Sequence, residues 1–219
     1  MTQVLQVSHP ATDSPTVLGD PRFRALLTAQ QWAELTPAIR QRFSKRLAGG
    51  NTVIYRGEVV ATYLSRAGWW LAQLARLVGG PLPTARDAGT PAVVTVTEDI
   101  ATQGQHWTRL YVRHSGFPQV IHSSKRFAGP TGLEEYIGAG LGIALQVEVA
   151  QGALIFRSAG YFLQVFGKRL RLPGCLTPGD LTVTHRQTGN GRFSFTLDVR
   201  HPRLGVLITQ TASFEDIAP

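Results

Sequence analysis

The chain is poor in sulfur and in lysine. Its 219 residues hold one cysteine and one methionine. A lone Cys175 excludes an internal disulfide framework and fits a reducing, cytoplasmic setting. It lies in a Leu-Pro-Gly-Cys-Leu turn with no acid–base neighbour, where an unpaired thiol is expected as a small packing residue. No run is long and apolar enough to cross a bilayer; the best, Gly68 to Val78, is too short and carries Arg76. The N-terminus lacks the basic start and apolar run of a secretory signal. Repeats and low-complexity tracts are missing. The histidines His9, His106, His114, His122, His185 and His201 show no metal-ligand spacing. No phosphate-binding Gly-x-x-x-x-Gly-Lys and no Gly-x-Ser-x-Gly elbow occurs. The glycine run Ile137 to Gly142 precedes a strand pattern, whereas a dinucleotide loop must open a helix, so it reads as a turn. Neither a metal nor a cofactor is expected.

Acids are also scarce. Fourteen Asp and Glu face 22 Lys and Arg, a net charge of +8. Lysine occurs only at Lys45, Lys125 and Lys168, and the other cations are arginines spread singly along alternating strands. The exception is Arg40, Arg42, Lys45 and Arg46 on one helical stretch. Dispersed charge fits solvated strand faces better than a nucleic-acid surface, so nucleic acid is not expected as a partner. A hydrophobic share of 43% with four tryptophans is ample for a core.

What dominates is alternation. From Ala92 to Phe214 short period-two segments follow one another, separated by tight turns such as Thr102-Gln103-Gly104, Ala150-Gln151-Gly152 and Thr188-Gly189-Asn190-Gly191. In the clearest, Phe193, Phe195, Leu197 and Val199 oppose Ser194, Thr196 and Asp198. Strands are expected at 52–60, 92–99, 105–113, 119–127, 132–136, 141–149, 153–157, 161–172 with a break at Gly167, 181–186, 191–200 and 204–214. Residues 1–20 read as a flexible arm and 21–219 as one β-rich domain. Helical spacing marks Pro21 to Leu47, in two pieces with Thr36-Pro37 as cap and first turn, ended by Gly49-Gly50. A second helical region, Tyr63 to Val78, stops at Gly79-Gly80-Pro81. Its Trp69-Trp70 pair makes it apolar nearly all round and predicts burial. The expected fold is α+β: a large curved antiparallel meander, barrel or half-barrel, with two N-terminal helical segments packed on or in it. A helix-grip arrangement is the close alternative, but it needs a long C-terminal helix.

Two strands carry candidate chemistry. Trp107, Arg109, Tyr111 and Arg113 share one face, able to stack flat rings and fork onto an anion, or else to lie exposed with their stems over the rings. On the next strand His122, Ser124 and Arg126 alternate with Ile121, Ser123, Lys125 and Phe127. His122 is a candidate general base beside Glu134 or Glu135. Trp69, Trp70, Trp107, Arg109, Tyr111 and Arg126 are the candidate ligand-binding residues.

Several segments in order resemble one bacterial family, domain of unknown function 4166: Leu35-Thr36-Pro37-Ala38-Ile39-Arg40, Tyr55-Arg56-Gly57, Trp107-Thr108-Arg109, Gly132-Leu133-Glu134-Glu135, Arg171-Leu172-Pro173, Gly191 to Phe195 and His201 to Gly205. The likeness runs from about Pro21 to the C-terminus. Members of that family are sometimes fused behind saccharopine-dehydrogenase-like oxidoreductases, which implies an oxidoreductase as a partner but no activity for these residues. The expected function is binding of an apolar or amphipathic small molecule in the cavity of the curved sheet. The alternatives are an acid–base enzyme (isomerase, cyclase or hydrolase) using His122, Glu134 or Glu135 with Arg109, and an interaction module for an oxidoreductase or an anionic surface.

Overall fold

In the computed structural model, residues 18–47, 51–79 and 82–216 are described. Most of the expected arm, 1–17, and the expected helix stops at Gly49-Gly50 and Gly80-Pro81 fall outside them. The alternating segments become strands because each has one greasy and one wet side, and pairing neighbours buries the greasy sides together. In chain order the elements are β1 (Leu18–Gly19), α1 (Arg22–Ala25), α2 (Ala29–Glu34), α3 (Pro37–Phe43), β2 (Lys45–Arg46), β3 (Thr52–Leu64), α4 (Arg66–Leu77), β4 (Thr90–Asp99), β5 (Gly104–Tyr111) and β6 (Gln119–Arg126). They continue with β7 (Glu134–Gly138), β8 (Leu141–Ala150), β9 (Ala153–Val165), β10 (Lys168–Arg171), β11 (Asp180–Gly189), β12 (Arg192–His201) and β13 (Gly205–Asp216).

Strands β3 to β9 pair as an up-and-down antiparallel meander, β9 also pairs β11, and the run β11, β12, β13 returns to β3. This closes a ten-stranded barrel, in which no edge is left between the first and last strands. Strand β10 is an extra. Its residues Lys168–Arg171 pair with Phe162–Val165 of β9, beyond the stretch Leu154–Arg157 that pairs with β11. The expected strands 153–157 and 161–172 are therefore redistributed. A bulge between Ala144 and Leu145 opposite Gly160 lets β9 run through, and Phe166-Gly167, both at positive φ, form the β9–β10 turn.

Two ends of the barrel are closed differently. The β3 start, the β9 start and the β13 end share the end occupied by α1, α2 and α3. Caps, not length, define these three short helices: a reciprocal Thr28–Gln31 capping box starts α2, and the Thr36 hydroxyl accepts from the Ile39 amide at α3. The single expected break is thus two. Phe23 and Phe43 meet edge-to-face at 5.0 Å between centroids, Phe23 also meets Phe127 at 4.9 Å, and both rings reach Phe156 of β9. Arg42 locks the plug by pairing with Asp216 at 2.9 Å, while its other nitrogen donates to buried His185 Nε2 at 3.0 Å. The basic stretch Arg40–Arg46 is accordingly not one solvated face, since Arg42 turns inward. The last residues of the expected arm are held as well: β1 pairs with β2, and Asp20 is buried against Arg22.

Helix α4 serves the other end. Ser65 caps it, and Gly68 lies so close to the Leu207 backbone that a Cβ there would collide with the Leu207 carbonyl. Its C-terminal end meets Gly138 at the β7–β8 turn. Strands β13 and β7 lie five places apart in a ring of ten, so α4 spans the mouth from one wall to the opposite one. The expectation of a fully buried helix fails. Gly68 and Ala72 face the barrel, whereas Trp69, Trp70, Leu74 and Leu77 are exposed on the far side. With two tryptophans, three leucines and three alanines among its twelve residues the segment looks apolar nearly all round in one dimension, yet the face that fits against β13 is centred on Gly68 and Ala72. Cys175, expected to pack, is exposed in a single 3₁₀ turn, Gly174–Leu176, because the turn projects it outward.

Candidate functional site

A ten-stranded barrel is somewhat wider than the eight-stranded size that side chains just fill. Here aromatic residues take up much of the difference. Between the plug and α4 a cavity of about 120 Å³ remains, walled by residues of most barrel strands and by Leu82 and Pro83 near the mouth. Phe156 forms part of the wall that separates it from the plug. The remaining wall is largely apolar, including Val94, Ile121, Ile143, Leu181, Val183, Phe195, Leu197 and Phe214. That volume is close to what an apolar engineered cavity needs to take up a benzene ring.

Into this wall project four polar groups that touch one another. Glu135 of β7 stands directly opposite Lys125 of β6 in register. Lys125 Nζ lies 2.8 Å from Glu135 Oε2, Arg109 Nη2 lies 3.5 Å from Oε1, and the Ser123 hydroxyl donates to Oε1 at 2.6 Å. Arg109 Nη1 donates to the Ser123 hydroxyl at 3.2 Å. Lys125 is 3% exposed and its ammonium lies 5.2 Å from the Trp107 ring centroid and 5.5 Å from that of Phe156. Among the described residues that line the cavity, Glu135 is the only carboxylate, facing two cations.

The electrostatics follow from that count. Burial pushes the Glu135 carboxyl up, but Lys125 and Arg109 with two hydrogen bonds outweigh it and hold it at about 2. Burial pulls the Lys125 ammonium down from its ordinary value, Glu135 pulls it back, and Arg109 repels it; the net direction is down. One carboxylate serves two cations, so the lysine is the under-compensated member. Burial also raises Tyr111.

Of the sequence candidates, Trp107, Arg109, Tyr111 and Glu135 meet at this cavity. His122 borders it, but it is an exposed residue beside the outer groove that holds Arg113. Glu134 points the other way, as adjacent strand residues must. It is fully buried outside the barrel interior, where Arg169 pairs with it and the Tyr136 hydroxyl donates to it at 3.0 Å. Arg126 also faces outward, over the Tyr136 ring at 4.0 Å and 3.8 Å from Asp99. Trp69 and Trp70 line a surface groove with Arg66, Arg86 and Arg113, not the cavity. Sequence reasoning passed over Lys125 and Ser123. The signal was present in Ile121, Ser123, Lys125 and Phe127, a face whose two apolar ends mark it as the inner one.

A family described only as a domain of unknown function, DUF4166, matches residues 35–214, from the last turn before α3 almost to the end of β13. The chain belongs to that family. The match takes in the barrel wall up to Phe214 and the buried cluster of this DUF4166 domain, while α1 and α2 precede it. No curated protein and no solved structure matches the chain. Among the described residues no helix is long and apolar enough to cross a membrane, and no group of three or more His, Cys, Asp or Glu is placed to hold a metal ion.

Proposed function

We propose that this DUF4166 domain binds a small amphipathic molecule, an apolar body with an anionic head, inside the barrel. The observation that carries the reading is the pairing of two cations with one carboxylate on an otherwise greasy wall. A buried charge is tolerated when paired, and the unpaired positive charge here is met by an anion brought in by a guest. Arg109 offers a planar fork suited to a carboxylate, Lys125 a point charge, and Trp107, Phe156 and Phe195 offer rings for the apolar part. A volume near 120 Å³ favours one ring or a short chain over a long lipid.

Acid–base catalysis has less support. A carboxylate held at about 2 is a weak base at neutral pH, Glu134 lies outside its chamber, and His122 borders the cavity only as an exposed residue. A cytoplasmic setting rests on the single cysteine, and a bacterial source and an oxidoreductase partner rest on resemblance alone.

Calorimetric titration with benzoate, phenylacetate and short-chain carboxylates, each beside its neutral amide, tests the reading. The acids are expected to bind and the amides to bind at least about tenfold more weakly, one charge-assisted hydrogen bond being worth about 1.5–3 kcal/mol. Lys125→Met should remove the preference. Equal affinity for acid and amide, or a preference that survives Lys125→Met, refutes it.

A further inference from the structure

We propose that the mouth end of the barrel is a docking surface for an anionic lipid bilayer, with the outer face of α4 as its centre. Four large apolar side chains of that helix, Trp69, Trp70, Leu74 and Leu77, are exposed although the helix is only twelve residues long. Gly68 and Ala72 on the inner face attach it to the barrel, and Trp70, Leu74 and Leu77 keep more than half of their surface exposed. Single exposed apolar residues need no explanation, but four on one face of one helix form a patch.

The patch continues beyond the helix, and topology puts the additions at the same end. A groove joins Arg76 and Gly79 at the α4 end to Phe117 in the β5–β6 loop, and Phe117 is 91% exposed. The β7–β8 turn links the other side: Gly138 touches Gly79, and the Gly140 carbonyl accepts from the Gln164 amide at 2.8 Å. Two residues on, Phe166 stands wholly exposed at the β9–β10 turn.

Charge selects the occupant. Helix α4 contains no Asp or Glu, and Arg66 and Arg76 flank its tryptophans, with Arg113 beside them. Among the described residues none of these three arginines enters an ion pair; Asp87 is the one carboxylate in the adjoining grooves, and it accepts from the His114 amide. Tryptophan and leucine between arginines is the composition of a helix that lies in the interface of an anionic membrane. The surface is independent of the ligand reading, although a bilayer at the mouth is also where an amphipathic guest would enter.

The test is co-sedimentation of the intact chain with phosphatidylcholine vesicles, with and without about one-third phosphatidylglycerol, together with tryptophan quenching by brominated acyl chains. Binding to the anionic vesicles with quenching is expected, weakening at high salt. Trp70→Ser with Leu77→Ser should abolish quenching, and Arg66→Glu with Arg76→Glu should cut affinity more than about tenfold. These positions are exposed, so the thermal midpoint should hold, and the variants should still discriminate carboxylate from amide in the cavity titration. Absence of vesicle binding, binding unchanged in both double variants, or a concentration-dependent dimer that covers the patch would overturn the proposal.

Discussion

Replacing Glu135 by Gln removes the only carboxylate from the buried cluster while nearly keeping its shape. Lys125 at 2.8 Å and Arg109 at 3.5 Å are then left facing each other in a largely apolar chamber. Breaking a buried pair from one side costs about 3–5 kcal/mol. The carboxyl itself gives a similar figure: moving from its ordinary 4.5 to about 2 corresponds to about 3 kcal/mol in favour of the charged form. With a urea slope of about 2–3 kcal/mol per molar, the unfolding midpoint should fall by about 1–2 M at neutral pH. The pH dependence has a definite sign. A carboxyl with a depressed folded value stabilises fully above about 4.5 and loses that contribution as pH falls toward about 2. The gap between parent and Glu135→Gln should therefore close across that window. Glu135→Leu combined with Lys125→Met should recover most of the loss, since a packed apolar pair can replace a buried ion pair. Glu135→Gln should also take up small carboxylates more tightly than the parent, since two cations then await one anion. A cost below about 1 kcal/mol, or a gap that ignores pH, would refute the account of the cluster.

Three further outcomes are expected. His185 is buried and held neutral, with burial and then Arg42 lowering it to about 3; stability should fall as pH drops from about 6.5 toward 3, and His185→Gln should flatten that slope by up to about 1.4 kcal/mol per pH unit in urea titrations. Gly68→Ala should destabilise by about 1–3 kcal/mol in thermal melts and expose α4 to proteolysis, because the added Cβ meets the Leu207 carbonyl. Val183→Phe should fill the cavity and abolish carboxylate binding in the calorimeter at a stability cost below about 3 kcal/mol.

Strand positions were largely readable in one dimension because half-buried strands must alternate, and turns such as Gln103-Gly104 and Gln151-Gly152 need backbone at positive φ. The same alternation put Trp107, Arg109 and Tyr111 on one face, and that face proved to be the inner one. It also separated Glu134 from Glu135, although choosing between them required knowing which face the barrel encloses. The two tryptophans of α4 misled. Their hydrophobicity suggested burial, but a helix buries the face that fits, and that face is centred on Gly68 and Ala72, with Ala67 and Leu71 packed beside them.

By itself the sequence determined an α+β chain of antiparallel hairpins and membership of a family without an assigned activity, since local pattern and turn chemistry act between neighbours along the chain. Only the tertiary structure decided that β13 returns to β3, that Lys125 meets Glu135 beside Arg109, and that α4 turns its tryptophans outward. Those facts depend on contacts between residues far apart in the chain, where closure and burial, not local preference, select the partner.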